Sequence, residues 1–233
     1  MGPGLPPARG IRSRVRYRLL ATYLATRKDM IYLPVTNRLR VAHGLAPLRH
    51  AREAYFRPPL TLAFTAEPFE YPRSDWHPSV RFVGPALWET PAPPPPWTEA
   101  LDARPLILAC TSSFPQADAM LIEATLNGLA DQPVQVIATV PTGAPLCLSG
   151  NARIEGYVPH RHLLSRAACV VCHGGFGITQ KALAAGVPVV AVPFGRDQFE
   201  VARRLEVCGA GVQLSAAALT PGRLRDAGRA DAG

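Results

Sequence analysis

The second half of the chain alternates short apolar runs with segments of helical periodicity. Strands are predicted over residues 106–110, 134–139, 153–155, 170–172, 187–192 and 212–214, and helices over 117–130, 161–165, 179–185 and 199–207. Short apolar runs of this kind are typical of buried strands. Because strands that alternate with helices form βαβ units, the pattern predicts a Rossmann-like α/β domain built on a parallel sheet.

Residues 1–90 have a less regular pattern. Apolar residues recur at helical spacing between Val15 and Leu24, which predicts an amphipathic helix over 15–26. The pair Thr36-Asn37 is a typical helix cap, so a second helix is predicted from there to Gly44. Residues 60–64 and 80–83 are predicted strands. The Pro/Gly-rich residues 1–10 are expected to be unstructured.

A proline run separates these two parts of the chain. Residues 91–97 read PAPPPPW, and consecutive prolines favour a semi-rigid extended spacer. We therefore predict a linker over 91–97 between a domain at 1–90 and a domain at 98–233. A docking site for a partner that recognises proline motifs is the second interpretation.

The positive charge of the chain is local. The formal net charge is +8, but residues 1–57 hold twelve Lys/Arg against two Asp/Glu. Nucleic acid or an anionic membrane surface could use such a block. No aromatic platform is interleaved with the arginines, so a solvated face is favoured and no nucleic-acid partner is expected. Weak membrane-surface contact through basic residues 9–57 is the alternative.

Apolar run lengths and cysteines bear on location. No apolar run approaches the roughly 20 residues that span a bilayer, and no apolar segment of a secretory signal follows the basic start. Five cysteines, an odd number, suit reduced thiols better than a disulfide framework. We therefore expect a cytoplasmic protein with free cysteines.

The candidate chemistry is concentrated in residues 168–202. An apolar strand breaks at His173, and a Gly-Gly-Phe-Gly turn follows before a short helix. Glycines at 174, 175 and 177 let the backbone approach a ligand closely, and a helix directs its N–H groups and positive dipole end toward that place. The pattern predicts an anion site, with Asp197 and Gln198 following the next strand.

Four motifs in this half resemble the nucleotide-sugar signature of bacterial two-domain glycosyltransferases of the GT-B type. They are Gly-Tyr-Val-Pro-His from Gly156, the turn at His173, Ala-Leu-Ala-Ala-Gly-Val-Pro from Ala182, and Asp-Gln-Phe-Glu-Val-Ala ending at Ala202. The resemblance is to enzymes that use UDP- or dTDP-sugars to glycosylate macrolides, other natural products and glycolipids. It implies a nucleotide-sugar-binding domain at 98–233 and a partial acceptor domain at 1–90.

The resemblance also implies roles for individual residues. Diphosphate contacts fall on His173, Gly174, Gly175, Gly177, Thr179, Ser112 and Ser113. Nucleoside contacts fall on Tyr157, Val158 and His160, and contacts to the donor sugar fall on Asp197 and Gln198. The co-substrate is a nucleoside-diphosphate sugar, the acceptor is a hydrophobic small molecule or lipid, and no metal or other cofactor is implied. Simpler alternatives remain: a solvent-facing His160, a core His173 and an Asp197 that only caps a helix.

The chain departs from the family pattern just after the glycine turn. Ile178 stands where the family usually has Ser or Thr. Lys181 stands where it usually has a Glu that accepts hydrogen bonds from the ribose hydroxyls, and a lysine cannot accept them. The ribose is then held differently, with the ammonium reaching a phosphate instead, or donor binding is weaker.

Length is the larger departure. Family members are nearly twice as long and carry their catalytic base, a histidine, near the start of an N-terminal domain that this sequence does not match. His43, His50 and His77 lie in the wrong region, so no catalytic base is assigned. We expect a chain truncated at both ends that lacks the final helices of its nucleotide domain. It is either a hexosyltransferase or a catalytically incompetent fragment that binds nucleotide sugars.

Residues 169–173 also satisfy the C-x-x-C-H pattern of covalent haem attachment. Both cysteines flank valines in a predicted buried strand, and the turn already explains His173. Zinc is disfavoured as well, because no second ligand pair stands at zinc-site spacing.

Overall fold

A computed structural model describes residues 4–114, 116–140 and 150–230 of the chain. The chain divides into two compact units. The helical unit consists of Pro7–Ala66 and Tyr71–Gly84, and the sheet unit consists of the described residues of Met1–Pro6, Glu67–Glu70 and Pro85–Gly233. The domain boundary at the proline run 91–97 stays a prediction.

The helical unit contains two helices and one pair of strands. Its elements are α1 (Ile11–Ala42), α2 (Glu53–Phe56), β1 (Thr61–Ala63) and β2 (Val80–Phe82), and the two strands pair in parallel. No residue of α1 is buried, although the structure describes the whole helix. The predicted apolar stripe of residues 15–26 therefore covers no core. No helix within the described ranges is long and apolar enough to cross a membrane.

Helix α1 corrects the prediction of two separate helices. It is continuous over 32 residues and contains Pro34. A proline removes one backbone hydrogen bond, and a helix of this length keeps its other bonds on both sides. Asn37, the predicted cap, points elsewhere: its Nδ2 donates to the Leu48 carbonyl at 3.0 Å, and its Oδ1 accepts from the Leu48 amide at 2.8 Å. The polar side chain thus holds a following loop instead of starting a helix.

The sheet unit is built on six parallel strands. These are β3 (Leu106–Cys110), β4 (Gln135–Thr139), β5 (Ala152–Glu155), β6 (Ala167–Cys172), β7 (Val189–Ala191) and β8 (Gly211–Gln213). Their order in the sheet is β5-β4-β3-β6-β7-β8. The sequence prediction of a parallel, Rossmann-like sheet is confirmed.

Five α-helices accompany this sheet, and four of them were predicted. They are α3 (Ala119–Leu129), α4 (Arg161–Leu164), α5 (Phe176–Ala184), α6 (Gln198–Val207) and α7 (Pro221–Ala230). Short 3-10 helices lie at Pro96–Ala100 and Ala216–Ala218. The sequence does not predict α7, whose apolar pattern is weak: among residues 221–228, Leu224 is the one buried side chain. A Cβ on Gly128 of α3 would lie 2.4 Å from the Pro221 carbonyl oxygen, so glycine permits this close packing.

Each face of the sheet packs against its own cluster of buried apolar residues. All five residues of β3 are buried, and they divide by alternation: Leu108 packs into one apolar cluster and Ala109 into the other. The same division separates Cys169 from Cys172 in β6. A sheet buried on both faces explains why its strands read as continuous apolar runs.

The order of the strands reverses between β3 and β6, which are neighbours in the sheet. Chain connections run outward from this pair in opposite directions, and the carboxyl ends of such neighbouring strands leave a crevice where ligands bind. Cys110, the last residue of β3, lies opposite Cys172, the last residue of β6, in the register of the two strands. The residues that follow them, from Thr111 and from His173, therefore form the crevice.

Part of the segment expected to be unstructured is ordered against α6. The Gly4 amide donates to Glu200 Oε2 at 2.9 Å, and Arg203 Nε donates to the Gly4 carbonyl at 3.1 Å. Composition alone did not show these two contacts, since their partners are almost two hundred residues away in sequence.

Candidate functional site

A cavity of about 400 Å³ lies at the carboxyl end of the parallel sheet in the sheet unit. The structure brings together nearly all the residues that the sequence proposes for the site. Those lining the cavity are Ser112, Ser113, Tyr157, Val158, His160, His173, Gly175, Gly177, Asp197 and Gln198. Gly174 and Thr179 do not line it. Thr179 is fully buried.

The glycine turn brings backbone and histidine close together. Gly174 has a φ of +77°, which favours glycine. A Cβ on Gly175 would lie 2.3 Å from His173 Nε2, so any larger residue would displace the imidazole. Helix α5 begins at Phe176, and no side chain caps its start. Its first N–H groups are therefore left for a ligand at the cavity wall.

His173 lines the cavity and is only 9% exposed. Burial lowers its pKa, as does the charge of Arg196, while Asp118, the Cys110 carbonyl and Asp197 act in the opposite direction. The ring is therefore neutral near pH 7, with one nitrogen that donates and one that accepts. Its buried Nδ1 makes no hydrogen bond of normal geometry with any described residue.

A carboxylate that the sequence analysis did not single out holds the loop after β3. Asp118 Oδ2 accepts from the Ser112 amide at 2.7 Å and from Gln116 Nε2 at 2.9 Å. The Ser112 hydroxyl in turn accepts from the Phe114 amide at 3.1 Å. These bonds fix the polar turn at the cavity floor. The available signal for Asp118 was its place in the first turn of the helix predicted over 117–130, near the end where Asp is common; the observed helix begins one residue after it.

The two members of the predicted sugar-binding pair are in different states. Gln198 is 2% exposed, and its Oε1 accepts from the amides of Phe194 and Gly195 at 2.8 and 3.0 Å. Its Nε2 donates to Gln116 Oε1 at 3.0 Å. Asp197 precedes α6 but makes no side-chain capping bond, so the alternative that it is only a cap is wrong. Gln198 therefore organises the loop, while Asp197 lines the cavity with no side-chain capping bond.

One group of cavity-lining residues, Thr139, His160 and Lys181, is called here the paired end together with Glu89, which does not line the cavity. Lys181 Nζ lies 2.7 Å from Glu89 Oε1, and the two side chains are 20% and 7% exposed. Glu89 also accepts from the amides of His160 at 3.2 Å and Arg161 at 3.1 Å. A carboxylate outside the cavity thus ties three chain segments together.

His160 belongs to the paired end and is half-buried. Its Nε2 lies 3.2 Å from Thr139 Oγ1. Burial lowers its pKa, Glu89 raises it and Lys181 lowers it. The imidazole is thus neutral near pH 7, and the role of His160 toward a nucleoside stays a prediction.

Tyr157 and Val158 present different groups beside the paired end. Tyr157 is 64% exposed, whereas Val158 is buried in the core. A ligand could therefore contact the ring of Tyr157 but only the backbone of Val158. This matches the form of contact that the resemblance implies for each residue, and both roles stay predictions.

A second group of cavity-lining residues, called here the unpaired end, consists of His173, Arg196 and Asp197. The Asp197 carboxylate makes no hydrogen bond or ion pair with any residue that the structure describes, and neither does the Arg196 guanidinium. Arg196 stacks instead on the ring of Phe114, with 5.1 Å from Cζ to the ring centroid. Arg196 was not identified from the sequence, because its distinguishing feature is a positive backbone φ that residue type does not predict.

The cysteines of the C-x-x-C-H pattern cannot share a ligand. Cys169 and Cys172 lie in the cores on opposite faces of the sheet, and burial raises the pKa of Cys172 to about 11. Within the described ranges, no group of three His, Cys, Asp or Glu side chains could hold a metal ion, and the expectation of no metal stays a prediction. Cys110, Cys169, Cys172 and Cys208 are free thiols, and Cys147 lies outside the described residues.

Comparison with known proteins identifies relatives of this chain among the glycosyltransferases. Residues 123–230 match the family described as erythromycin biosynthesis protein CIII-like, C-terminal domain. A 4'-demethylrebeccamycin synthase of Lentzea aerocolonigenes is 38% identical over 242 residues, covering 99% of this chain and 56% of that protein. A PGL/p-HBAD biosynthesis glycosyltransferase of Mycobacterium tuberculosis is 36% identical over 79% of this chain and 43% of its own length. The chain thus spans about half the length of the curated relatives that it matches.

Solved structures give the same result. The calicheamicin glycosyltransferase CalG4 is 25% identical, with a TM-score of 0.65 over 84% of this chain and 51% of that one. The glycosyltransferase VinC in complex with dTDP is 29% identical, with a TM-score of 0.50 over 61% of this chain and 37% of that one. This protein belongs to the glycosyltransferases of GT-B fold, and residues 123–230 are its erythromycin biosynthesis protein CIII-like C-terminal domain.

Proposed function

We propose that this chain binds a UDP- or dTDP-linked sugar in the cavity and takes part in transfer of the hexose to a hydroxyl group of an acceptor. The carrying observation is the convergence of His173, the glycine turn and the start of α5 on one cavity at the strand reversal. Helix starts and donors of this kind favour an anion such as a diphosphate. The similarity to VinC, solved with dTDP, supports this ligand class.

The proposed roles follow the geometry of the cavity. His173, Ser112, Ser113, Gly175 and Gly177 face the diphosphate, while Gly174 and Thr179 shape the turn. Tyr157, the backbone of Val158, and His160 face the nucleoside. Asp197 accepts hydrogen bonds from sugar hydroxyls, and Gln198 holds the loop that presents Asp197, with one amide hydrogen left for the sugar.

The proposed reaction is a displacement at the anomeric carbon. The acceptor oxygen forms a bond to that carbon, and the bond to the diphosphate breaks with its electron pair moving to the leaving phosphate oxygen. The neutral His173 and the α5 amides stabilise the charge that develops there. A general base must take the acceptor proton, and no residue of this chain is assigned to that step.

The remaining parts of the proposal come from the sequence and from the relatives. The acceptor is a hydrophobic small molecule or lipid, in keeping with relatives named for rebeccamycin and PGL biosynthesis. We propose no metal or other cofactor, and a cytoplasmic location in keeping with the four free thiols. Weak membrane-surface contact through residues 9–57 rests on their charge alone.

Calorimetric titration with UDP, dTDP and their glucose conjugates tests the proposal. We expect saturable binding of at least one nucleotide, weakened about tenfold by His173→Ala because one donor to the phosphate is lost. His50→Ala, which removes an exposed histidine of the helical unit, is the matched control and should bind as wild type. Absence of binding to any of these nucleotides by the wild-type chain would refute the proposal.

A second assay separates the two functional alternatives. The release of UDP or dTDP is followed with a panel of phenols and lipid alcohols as acceptors. Release that depends on an acceptor identifies a transferase. Binding without release identifies the nucleotide-sugar-binding fragment that the sequence analysis kept as its alternative.

A further inference from the structure

Arg196 is held in an unfavourable backbone conformation at the cavity. Its φ is +57°, and no other non-glycine residue among those the structure describes has a positive φ. Arginine gains nothing locally from this region, which suits glycine and, to a lesser degree, asparagine and aspartate. Such conformations persist where the surrounding structure imposes them, and they concentrate at ligand sites.

Contacts on both sides impose it here. Gln198 accepts from the amides of Phe194 and Gly195, which fixes the chain just before Arg196. The guanidinium then lies over the ring of Phe114 with 5.1 Å to its centroid. Phe114 is itself 66% exposed and its amide donates to Ser112 Oγ. The stack thus joins the loop after β7 to the loop after β3, and both residues line the cavity.

The guanidinium keeps its hydrogen-bonding capacity. Within the described ranges no carboxylate pairs with Arg196, whereas most other arginines of the sheet unit are paired or bonded to carbonyls. A cation–π stack occupies the face of the group and leaves its N–H edge available. The charge of Arg196 also acts on His173, the residue proposed to face the diphosphate.

We propose that Arg196, positioned by the ring of Phe114, is a further diphosphate-binding residue that acts together with His173 and the start of α5. The proposal rests on the function proposed above and adds a residue to it. A planar guanidinium can bind phosphate oxygens through two parallel N–H bonds. Its neighbour Asp197 repels phosphate and remains for the sugar, so the two adjacent residues divide the donor between them.

Titration with uridine, UMP and UDP tests the assignment, because the three ligands differ only in phosphate. Wild type should bind UDP best. Arg196→Gln keeps a polar side chain but shortens it and removes the charge and the fork, so UDP affinity should fall about tenfold while uridine affinity stays the same. Phe114→Leu should weaken UDP by a smaller factor, because the guanidinium remains but is no longer positioned.

Arg153→Gln is the matched control. Arg153 stacks on Trp97 at 4.7 Å in the same way, but it does not line the cavity, so UDP affinity should not change. Thermal unfolding of each variant shows whether it folds. Equal UDP affinity in wild type and in folded Arg196→Gln would overturn the assignment and leave the proposed function intact. Absence of binding of all three uridine ligands and of dTDP by wild type would overturn both.

Discussion

The two ends of the cavity differ in how far the protein satisfies its own polar groups. At the paired end, Lys181, His160 and Thr139 all have partners, and buried Glu89 holds three donors at once. At the unpaired end, Asp197 and Arg196 have no polar partner among the described residues. Half-buried polar groups such as the Asp197 carboxylate are normally satisfied, whereas Arg196 is exposed to solvent. The paired end is therefore shaped before ligand arrives, and the unpaired end has free hydrogen-bonding capacity that a ligand could use.

This contrast changes the interpretation of Lys181. Its place in the family pattern suggested an ammonium that reaches a phosphate or weakens donor binding. In the structure, the ammonium is held by Glu89, and the same carboxylate accepts from the His160 amide. The pair therefore acts first on the shape of the paired end. Its effect on donor affinity stays a prediction.

The largest expected effect comes from breaking the paired end. Glu89→Ala leaves the Lys181 ammonium mostly buried without its counter-ion and removes the acceptor of two amides. We expect the free energy of unfolding to fall by about 3 kcal/mol, measured by urea denaturation. The double variant Glu89→Met/Lys181→Met should recover much of this loss, because no unpaired charge remains.

The control for this prediction is an exposed ion pair in the helical unit. Arg73 and Asp75 are joined at 2.6 Å but lie in solvent. Asp75→Ala should leave the unfolding transition almost unchanged. Equal effects of Glu89→Ala and Asp75→Ala would contradict the distinction between a buried organising carboxylate and a surface one.

A smaller effect should separate the two members of the predicted sugar pair. Gln198→Ala leaves the amides of Phe194 and Gly195 without their acceptor, so stability should fall by about 1–3 kcal/mol. Asp197→Asn should leave stability unchanged and weaken UDP-glucose more than UDP, because the carboxylate acts on the sugar. Denaturation and calorimetry on both variants measure these effects. A similar loss of stability in both variants would show that Asp197 is also structural.

How much of this was predictable from sequence depends on the range of the interactions. The first and last residues of β3 and the existence of a parallel sheet were predictable from local apolar patterns. The glycine turn was predictable from a contiguous motif. Glu89 could not be found in this way, since 92 residues separate it from Lys181. The left-handed conformation of Arg196 is likewise imposed by Gln198 and Phe114, and its own residue type argues against it. The continuity of α1 through Pro34 was missed because the loop contact of Asn37 is invisible in a capping pattern.

The smallest expected effect concerns pH. Burial raises the pKa of Glu89, but the hydrogen bonds from Lys181 and Arg161 and the nearby positive charges outweigh it, so the pKa is lowered from its ordinary 4.5. A lowered pKa in the folded state stabilises the protein above pH 4.5, and this stabilisation disappears as the pH falls through the folded-state value. The stability difference between wild type and Glu89→Gln should therefore be full at pH 7 and shrink progressively below pH 4.5. A difference independent of pH would contradict this.

The most direct test of the central claim is a crystal structure of the chain with UDP or dTDP. We expect the diphosphate at the unpaired end, with its oxygens within hydrogen-bond distance of His173 and of the amides of residues 175–177. The nucleoside should lie against the paired end. A nucleotide bound in the reverse direction, or bound away from the turn at His173, would contradict it.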